Sequence, residues 1–214
     1  KNVKVHTAIV GDAKSVLEQI NSKLNKNYKH TDWIKHINDL KKKYPLTIYE
    51  KDLCGPSIIK SIYEQTKGDA VICTDVGQHQ MWAVQHLNFH YPGQLLTSGG
   101  FGTMGFGLGA AIGAKVGNPE KVVIHITGDG SFRMNMNELL TCAKYNLHVC
   151  VVIANNGVLG MVRQWQTAFY DKRYSQTNLD TVINYEYLAK GLGVDYYYAS
   201  TRAEYKKAVE EVVK

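Results

Sequence analysis

Two short polar motifs stand at the ends of two apolar runs. Gly128-Asp129-Gly130-Ser131 follows Val122-Val123-Ile124-His125-Ile126, and Asn155-Asn156 follows Val149-Cys150-Val151-Val152-Ile153. A carboxylate and an amide oxygen are hard ligands. Held side by side they suit Mg²⁺, which is octahedral, takes few oxygens from protein and completes its shell with phosphates. One nearby carbonyl would add a third oxygen. The chemistry implied is the anchoring of a diphosphate through a metal ion. Taken separately, GDG reads as a surface turn and NN as another; their pairing is what points to chemistry.

The elements that must hold these motifs follow from periodicity. Both runs are short, β-branched and bounded by turn residues, so they read as buried parallel strands. Residues 134–146 carry Met136, Leu139, Leu140 and Ala143 at helical spacing, so a helix joins the strands. Strand, helix, strand closes as a right-handed crossover. Both motifs then sit at carboxyl ends of strands, the ligand edge of an open α/β sheet. Gly128 and Gly130 permit a tight turn and close backbone approach. The N–H groups around Gly130 and Ser131 can face an anion at the start of the helix.

Elsewhere, residues 3–10 read as a strand. Asp12 is positioned to cap a helix carrying Val16, Leu17, Ile20 and Leu24, and Thr31 another carrying Ile34, Ile37 and Leu40. Tyr44-Pro45 and the next few residues read as a linker. Pro56 opens a helix with Ile58, Ile59, Ile62 and Tyr63 on one face. Residues 70–74 form a strand ending at Asp75-Val76-Gly77-Gln78, and 94–97 a short strand before a glycine-rich turn. The helix expected over 104–116 is dominated by Gly and Ala, so it must pack closely. Residues 195–199 read as a late strand, and Thr201-Arg202-Ala203-Glu204 as a capping box. The pattern predicts an α/β protein with an open, mainly parallel sheet and helices on both faces. That domain covers 45–214, and 1–44 forms a separate segment.

At these residues the sequence resembles the thiamine diphosphate (ThDP) enzymes, whose cofactor motif is GDG followed one strand later by NN. Longer strings narrow the resemblance. Asn155-Asn156-Gly157-Val158-Leu159-Gly160-Met161-Val162-Arg163-Gln164-Trp165-Gln166, Phe169-Tyr170 and Arg173-Tyr174-Ser175 are similar to the acetolactate synthase (acetohydroxyacid synthase) large-subunit family. So are Val76-Gly77-Gln78-His79-Gln80-Met81-Trp82 and Ser98-Gly99-Gly100-Phe101-Gly102-Thr103-Met104-Gly105. The resemblance runs from Ile9-Val10-Gly11-Asp12 to the last helix. It implies the ThDP-binding fold for 45–214 and the tail of a second, central α/β domain for 1–44. That central domain carries FAD in the full-length enzyme and lies mostly outside this chain, so FAD binding is not expected here.

The resemblance also implies roles. Cofactor contacts fall on Val76, Gly77, Gln78, His79, Gly102, Met104, Gly128, Asp129, Gly130, Ser131, Asn156, Val158, Leu159, Gly160 and Met161. Mg²⁺ takes the side chains of Asp129 and Asn156 and the carbonyl of Val158. Gln78 and His79 hydrogen-bond the diphosphate. Backbone at Gly102 and the Met104 side chain meet the aminopyrimidine, and a bulky residue at 104 forces a V-shaped cofactor, a proximity effect. Met161 and Trp165, four apart and so on one helical face, line the substrate channel. Trp165 is the position linked to 2-ketobutyrate preference and herbicide contact. Gly109 departs from the proline usual in the family, which should leave the cofactor contacts intact.

The activity implied is decarboxylation of pyruvate and transfer of the hydroxyethyl group to a second 2-keto acid, in branched-chain amino acid biosynthesis. The glutamate that activates the cofactor comes from an N-terminal domain of another subunit, and no residue here corresponds to it. The chain by itself is therefore expected to contain no catalytic residue, to be inactive and to bind ThDP weakly. Helix 104–116 is expected to form an apolar face for a homodimer or higher homo-oligomer, and a regulatory small subunit is a further expected partner. The opening Lys1-Asn2-Val3 lacks an initiator Met and reads as the start of a C-terminal piece.

Other readings compete. Gly100-Phe101-Gly102-Thr103-Met104-Gly105 matches the dinucleotide fingerprint G-x-G-x-x-G, which wants an acidic residue about 20 positions on. Asp129 lies 24 residues after Gly105. A Rossmann module is thus an alternative, although it leaves Asn155-Asn156 unexplained. A sister enzyme such as pyruvate oxidase or another carboligase is a second, against which the Gln164-Trp165-Gln166 and Phe169-Tyr170 strings argue. Singly, Met104 reads as helix core, His79 as a strand-end surface histidine and Trp165 as a packing residue.

Composition sets the bounds. The 214 residues carry a formal net charge of +6 and 44% hydrophobic residues. Lysines such as Lys41-Lys42-Lys43 supply much of the excess, with no aromatic-interleaved basic stripe, so no nucleic-acid partner is expected. No apolar stretch reaches membrane-spanning length and no signal peptide is present, so no membrane role is expected. The four cysteines, Cys54, Cys73, Cys142 and Cys150, lack C-x-x-C spacing and read as buried, reduced thiols, consistent with a cytoplasmic location.

Overall fold

Four short apolar runs, three of them rich in β-branched residues, form the sheet: β1 (Val71–Thr74), β2 (Leu95–Thr97), β3 (Val123–Gly128) and β4 (Val149–Ala154). All pair in parallel, in the order β2-β1-β3-β4. The computed structural model describes residues 3–24, 29–46, 53–179 and 183–213. The chain divides into two units, residues 1–46 and 47–214.

In the larger unit the helices are α3 (Gly55–Gln65), α4 (Gln78–His86), α5 (Phe106–Gly117), α6 (Asp129–Asn135), α7 (Leu139–Lys144), α8 (Gly160–Phe169), α9 (Tyr185–Leu192) and α10 (Arg202–Val212). In chain order they follow α1 (Ala13–Lys23) and α2 (Thr31–Lys43) of the smaller unit. The period of two sorts the strand side chains onto two faces. Ile72, Ile124, Ile126 and Val152 pack with Ile59, Ile62, Ala83, Tyr205 and Val209 of α3, α4 and α10. Val71, Cys73 and Val123 pack with Ala111 and Ala114 of α5. Leu108, Phe132, Leu139 and Cys142 continue that second layer, with Tyr185, Leu188 and Leu192 of α9 against them. The expected α/β architecture with helices on both faces is therefore present.

Local signals explain several boundaries. Pro56 sits in the first turn of α3. Thr201 and Glu204 form the capping box of α10, with the Glu204 N–H donating to Thr201 Oγ1 at 3.3 Å. Two helices were not anticipated. α4 begins at once after Gly77, and its Gln- and His-rich sequence hides the pattern. α9 does carry signals: Asn184 accepts from the Tyr187 N–H at 3.1 Å, and Gly193 closes the helix with φ +74°.

Three expectations are corrected. The linking helix starts at Asp129, not at 134, and runs as α6, a 3₁₀ turn over Met136–Glu138, and α7. Leu139 and Cys142 face inward while Leu140 is exposed, because the 3₁₀ turn resets the helical phase. Residues 195–199 form no strand. Tyr196, Tyr197 and Tyr198 are all exposed, so the segment has no alternating buried face to seat it against a sheet. β4 remains the edge of the described sheet.

The smaller unit contains α1 (Ala13–Lys23) and α2 (Thr31–Lys43). Asp12 caps α1 as expected, accepting from the Ser15 N–H at 2.9 Å. The cap of α2 is His30, with Thr31 its first helical residue. Residues 3–10 do not form the expected strand. A strand requires a partner for its backbone groups, and no described segment pairs with this one. No side chain of α1 or α2 is buried. The linker expected after Pro45 continues into 47–52, outside the described residues.

Candidate functional site

The strand order places a switch point between β1 and β3. From β1 the chain moves to β2 on one side, and from β3 to β4 on the other. Ligands of open α/β sheets bind in the crevice outside the carboxyl ends of strands at such a point. Val76 and Gly77 follow β1, and Gln78 and His79 open α4. Asp129, Gly130 and Ser131 open α6 directly after β3. β3 and β4 are neighbours in register, with Gly128 opposite Ala154, so Asn155-Asn156 leaves the sheet beside GDG.

Asp129 is 1% exposed and opens α6. Its Oδ2 accepts from the Gly157 N–H at 3.0 Å. Its Oδ1 is buried with no hydrogen-bond partner among the described residues. Burial pushes its pKa up, and nearby N–H groups and the Arg133 charge only partly offset that. Asn156 Oδ1 accepts from the Val158 N–H at 3.1 Å. Val158 forms a single antiparallel bridge with Asn178, flanked by bonds from the Leu159 N–H to Thr177 O (2.8 Å) and the Leu179 N–H to Gly157 O (2.9 Å). In that register Val158 is a non-hydrogen-bonded pair member, so its own N–H and carbonyl point away from 177–179. The carbonyl therefore lies on the Asn156 side.

This arrangement offers oxygens from Asp129, Asn156 and Val158, with one carboxylate among them. No cluster of three His, Cys, Asp or Glu able to hold a metal occurs among the described residues. Any cation held here must draw further oxygens from a ligand, which is the way Mg²⁺ binds with phosphates.

GDG needs glycine for close approach, as expected, and not for the tight turn also expected of it. Gly128 is extended (φ −100°, ψ 161°) and Gly130 lies inside α6. A Cβ on Gly128 would stand 3.1 Å from His79 Nδ1, and one on Gly130 would stand 2.6 Å from Leu159 Cδ2 and 3.8 Å from Met104 Cε. Leu159 and Met104 thus converge on the motif. Ser131 Oγ donates to the Val76 carbonyl at 2.9 Å, joining the start of α6 to the residues after β1.

Gln78 and His79 diverge. The His79 ring packs between Gly77 and Gly128 and is 5% exposed, so it is no surface histidine. Its Nε2 has no partner among the described residues. Burial lowers its pKa to about 4, so it is neutral at neutral pH. The Gln78 amide instead donates to Gln164 Oε1 of α8 at 2.9 Å and fills the space over Gly160 that a Cβ would take.

The glycine turn between β2 and α5 is closed by the Gly102 N–H donating to Ser98 O at 3.0 Å. It ends at Gly105, the cap of α5, whose φ of +84° favours glycine. The Asn135 amide donates to the Gly105 carbonyl at 2.7 Å, tying the turn to α6.

Residues 75–214 match the family model described as "Thiamine pyrophosphate enzyme, C-terminal TPP binding domain". The chain belongs to the thiamine pyrophosphate enzymes. It is 46% identical over 198 residues to the acetolactate synthase large subunit of Lactococcus lactis subsp. lactis (strain IL1403), covering 91% of this chain and 34% of that protein. It is 41% identical over 221 residues to the acetolactate synthase large subunit of Cyanidium caldarium, covering 100% and 38%. To the acetolactate synthase isozyme 3 large subunit of Escherichia coli (strain K12) it is 40% identical over 201 residues, covering 90% and 35%. The chain spans about a third of the length of these relatives.

In a TPP-binding domain the dinucleotide reading of the glycine turn falls away. That turn follows β2, an edge strand of the described sheet, and not a strand at the switch point. The TPP-binding domain also contains a cluster that sequence reasoning missed. Asp75, at the end of β1 and 1% exposed, accepts from the Gly107 N–H (2.7 Å), from Thr127 Oγ1 (2.7 Å) and from His125 Nε2 (3.0 Å). Burial would raise its pKa, but these donors together hold it below the ordinary carboxylate value. The available signal was an Asp at the end of one apolar run and a His inside the next.

Met161 and Trp165 share a groove of about 720 Å³ on α8 with Val162, Gln166, Tyr170, Arg173 and Ser175. Trp165 is 58% exposed and meets Phe169 edge-on, ring centroids 5.4 Å apart. The packing-only reading of Trp165 does not account for that exposure. Arg163 lies over the Tyr174 ring and donates to Asn178 at 3.0 Å. Among the described residues no helix is long and apolar enough to cross a membrane. All four cysteines are thiols; Cys73 and Cys142 are buried, while Cys54 and Cys150 are half-buried.

Proposed function

We propose that this chain is the ThDP- and Mg²⁺-binding portion of an acetolactate synthase that joins pyruvate to a second 2-keto acid. The observation carrying the proposal is Asp129: a buried carboxylate oxygen without a partner, at the switch-point edge, whose other oxygen takes the N–H of Gly157, the residue after Asn156. Such a group is costly unless a cation meets it.

Asp129, Asn156 and the Val158 carbonyl would hold the metal. The first-turn N–H groups around Gly130 and Ser131 and the neutral His79 would face the diphosphate. Gly102 and Met104 would contact the pyrimidine, and Val76, Gly77, Gln78, Leu159, Gly160 and Met161 would complete the cradle. The groove at Met161 and Trp165 would admit the 2-keto acid. ThDP, when bound, supplies the electron sink for decarboxylation. The chain's own residues bind, orient and exclude water; they include no candidate for the activating glutamate. Residues 1–44 are read as the tail of a preceding domain that holds FAD in the longer enzyme. The outer face of α5, with Phe106, Gly109, Gly113 and Val116 exposed, suits a second copy, and a small regulatory subunit is a further partner.

Calorimetric titration with ThDP tests the proposal. Binding should need Mg²⁺, vanish with EDTA and vanish in Asp129→Ala. Binding of NAD in place of ThDP, or metal-independent ThDP binding, would overturn it.

A further inference from the structure

Four segments carry the residues assigned above to the cofactor; three of them are residues 76–79 after β1, the glycine turn before α5, and residues 128–131 at the β3–α6 junction. These three are far apart in sequence, yet one buried residue directly precedes the first and its side chain bonds residues that adjoin the other two. That residue is Asp75. Its Oδ1 takes the Gly107 N–H at the start of α5, just past Met104 and Gly105 (2.7 Å). Its Oδ2 takes the hydroxyl of Thr127, which directly precedes Gly128-Asp129 (2.7 Å). That hydroxyl also lies 3.0 Å from the Gly128 carbonyl; the carboxylate is the nearer and, being charged, the stronger acceptor.

The surroundings leave no slack. His125 is 0% exposed and completes the shell of Oδ2 at 3.0 Å. A carboxylate only accepts, so His125 Nε2 carries the proton. A Cβ on Gly107 would meet the His125 ring and stand 2.8 Å from the Asp75 nitrogen. The Asp75 N–H itself pairs with Ile126 O at 3.0 Å.

We propose that Asp75 is a positioning residue, whose carboxylate sets the mutual register of the 76–79, 102–107 and 127–131 segments through Gly107 and Thr127. It touches no proposed ligand itself. Its role in cofactor binding rests on the reading given under the proposed function, whereas the coupling of the three segments does not. Three donors from two elements, α5 and β3, converge on one group at the end of a third, β1, and only an acceptor on every side can satisfy them.

The test compares Asp75→Asn, Thr127→Val and Thr127→Ser with the unaltered chain by amide hydrogen exchange, thermal melting and Mg²⁺–ThDP titration. Asp75→Asn and Thr127→Val should accelerate exchange together at 102–107 and 128–131, with the interior amides of β3 and β4 unchanged. They should weaken Mg²⁺–ThDP binding by about 10- to 100-fold, the usual effect of losing a supporting hydrogen bond behind a site. Thr127→Ser keeps the hydroxyl and should restore both. Exchange that rises uniformly through the sheet, or no change in either segment, would overturn the proposal. If the unaltered chain binds no Mg²⁺–ThDP, the functional reading fails, and the exchange pattern still decides the coupling.

Discussion

The Gly157 N–H donates to Asp129 Oδ2 at 3.0 Å. This bond links the loop after β4 to the first residue of α6, so the two polar motifs form one unit. It also satisfies one oxygen of Asp129 and leaves the other, Oδ1, buried without a partner among the described residues. A buried carboxylate oxygen left without a partner is costly to keep charged.

Asp129→Asn removes that charge and keeps an oxygen for Gly157. The ligand-free chain should melt no lower than the original, and gain up to about 1 kcal/mol, since a buried charge costs more than a buried amide. Mg²⁺-dependent ThDP binding should be lost. Melting curves with and without Mg²⁺–ThDP would show both effects; a large loss of ligand-free stability would contradict this account.

His79 makes stability fall in acid. Burial lowers its pKa from 6.5 to about 4, so between those values the unfolded chain binds more protons than the folded one. Its contribution is complete above pH 6.5 and is lost as pH falls toward 4. The full span is on the order of 3 kcal/mol. Urea denaturation across that range should show a shallower pH slope in His79→Gln; an unchanged slope would place the acid sensitivity elsewhere.

Two glycines of α5 should respond oppositely to alanine. At Gly107 the methyl would collide with the His125 ring and crowd the Asp75 backbone, costing about 1–3 kcal/mol. At Gly113 it meets nothing within 4 Å, and Gly113→Ala should gain about 0.8–1 kcal/mol of helix propensity. Gly113→Ala would also report on a second copy: if α5 pairs in solution, sedimentation should show weaker association.

Thr201→Ala should cost about 1 kcal/mol, because Thr201 Oγ1 accepts the Glu204 N–H and Glu204 returns a bond to the Thr201 N–H at 3.1 Å. Glu204→Gln should cost less, since the amide oxygen still accepts. Equal losses from the two changes would argue that charge matters more than geometry at this cap.

By itself the sequence determined what is local. A β-branched run, a helix-length segment and a second β-branched run favour parallel strands with their carboxyl ends at one sheet edge, which brings GDG and NN to the same side; that β3 and β4 are neighbours, while β2 and β3 are not, was decided by the strand order. Capping at Asp12 and Thr201 needs only residues three positions on, and it formed as read. What needed a distant partner was decided by tertiary structure. Residues 3–10 and 195–199 have strand-like composition but no strand, because a strand exists only where another pairs with it. The phase of α7, with Leu139 inward and Leu140 outward, depends on the 3₁₀ turn before it. The Asp75 cluster draws on residues 32, 50 and 52 positions away. It exists because β1 lies between β2 and β3, an order set by which faces bury best and not by any neighbouring residue.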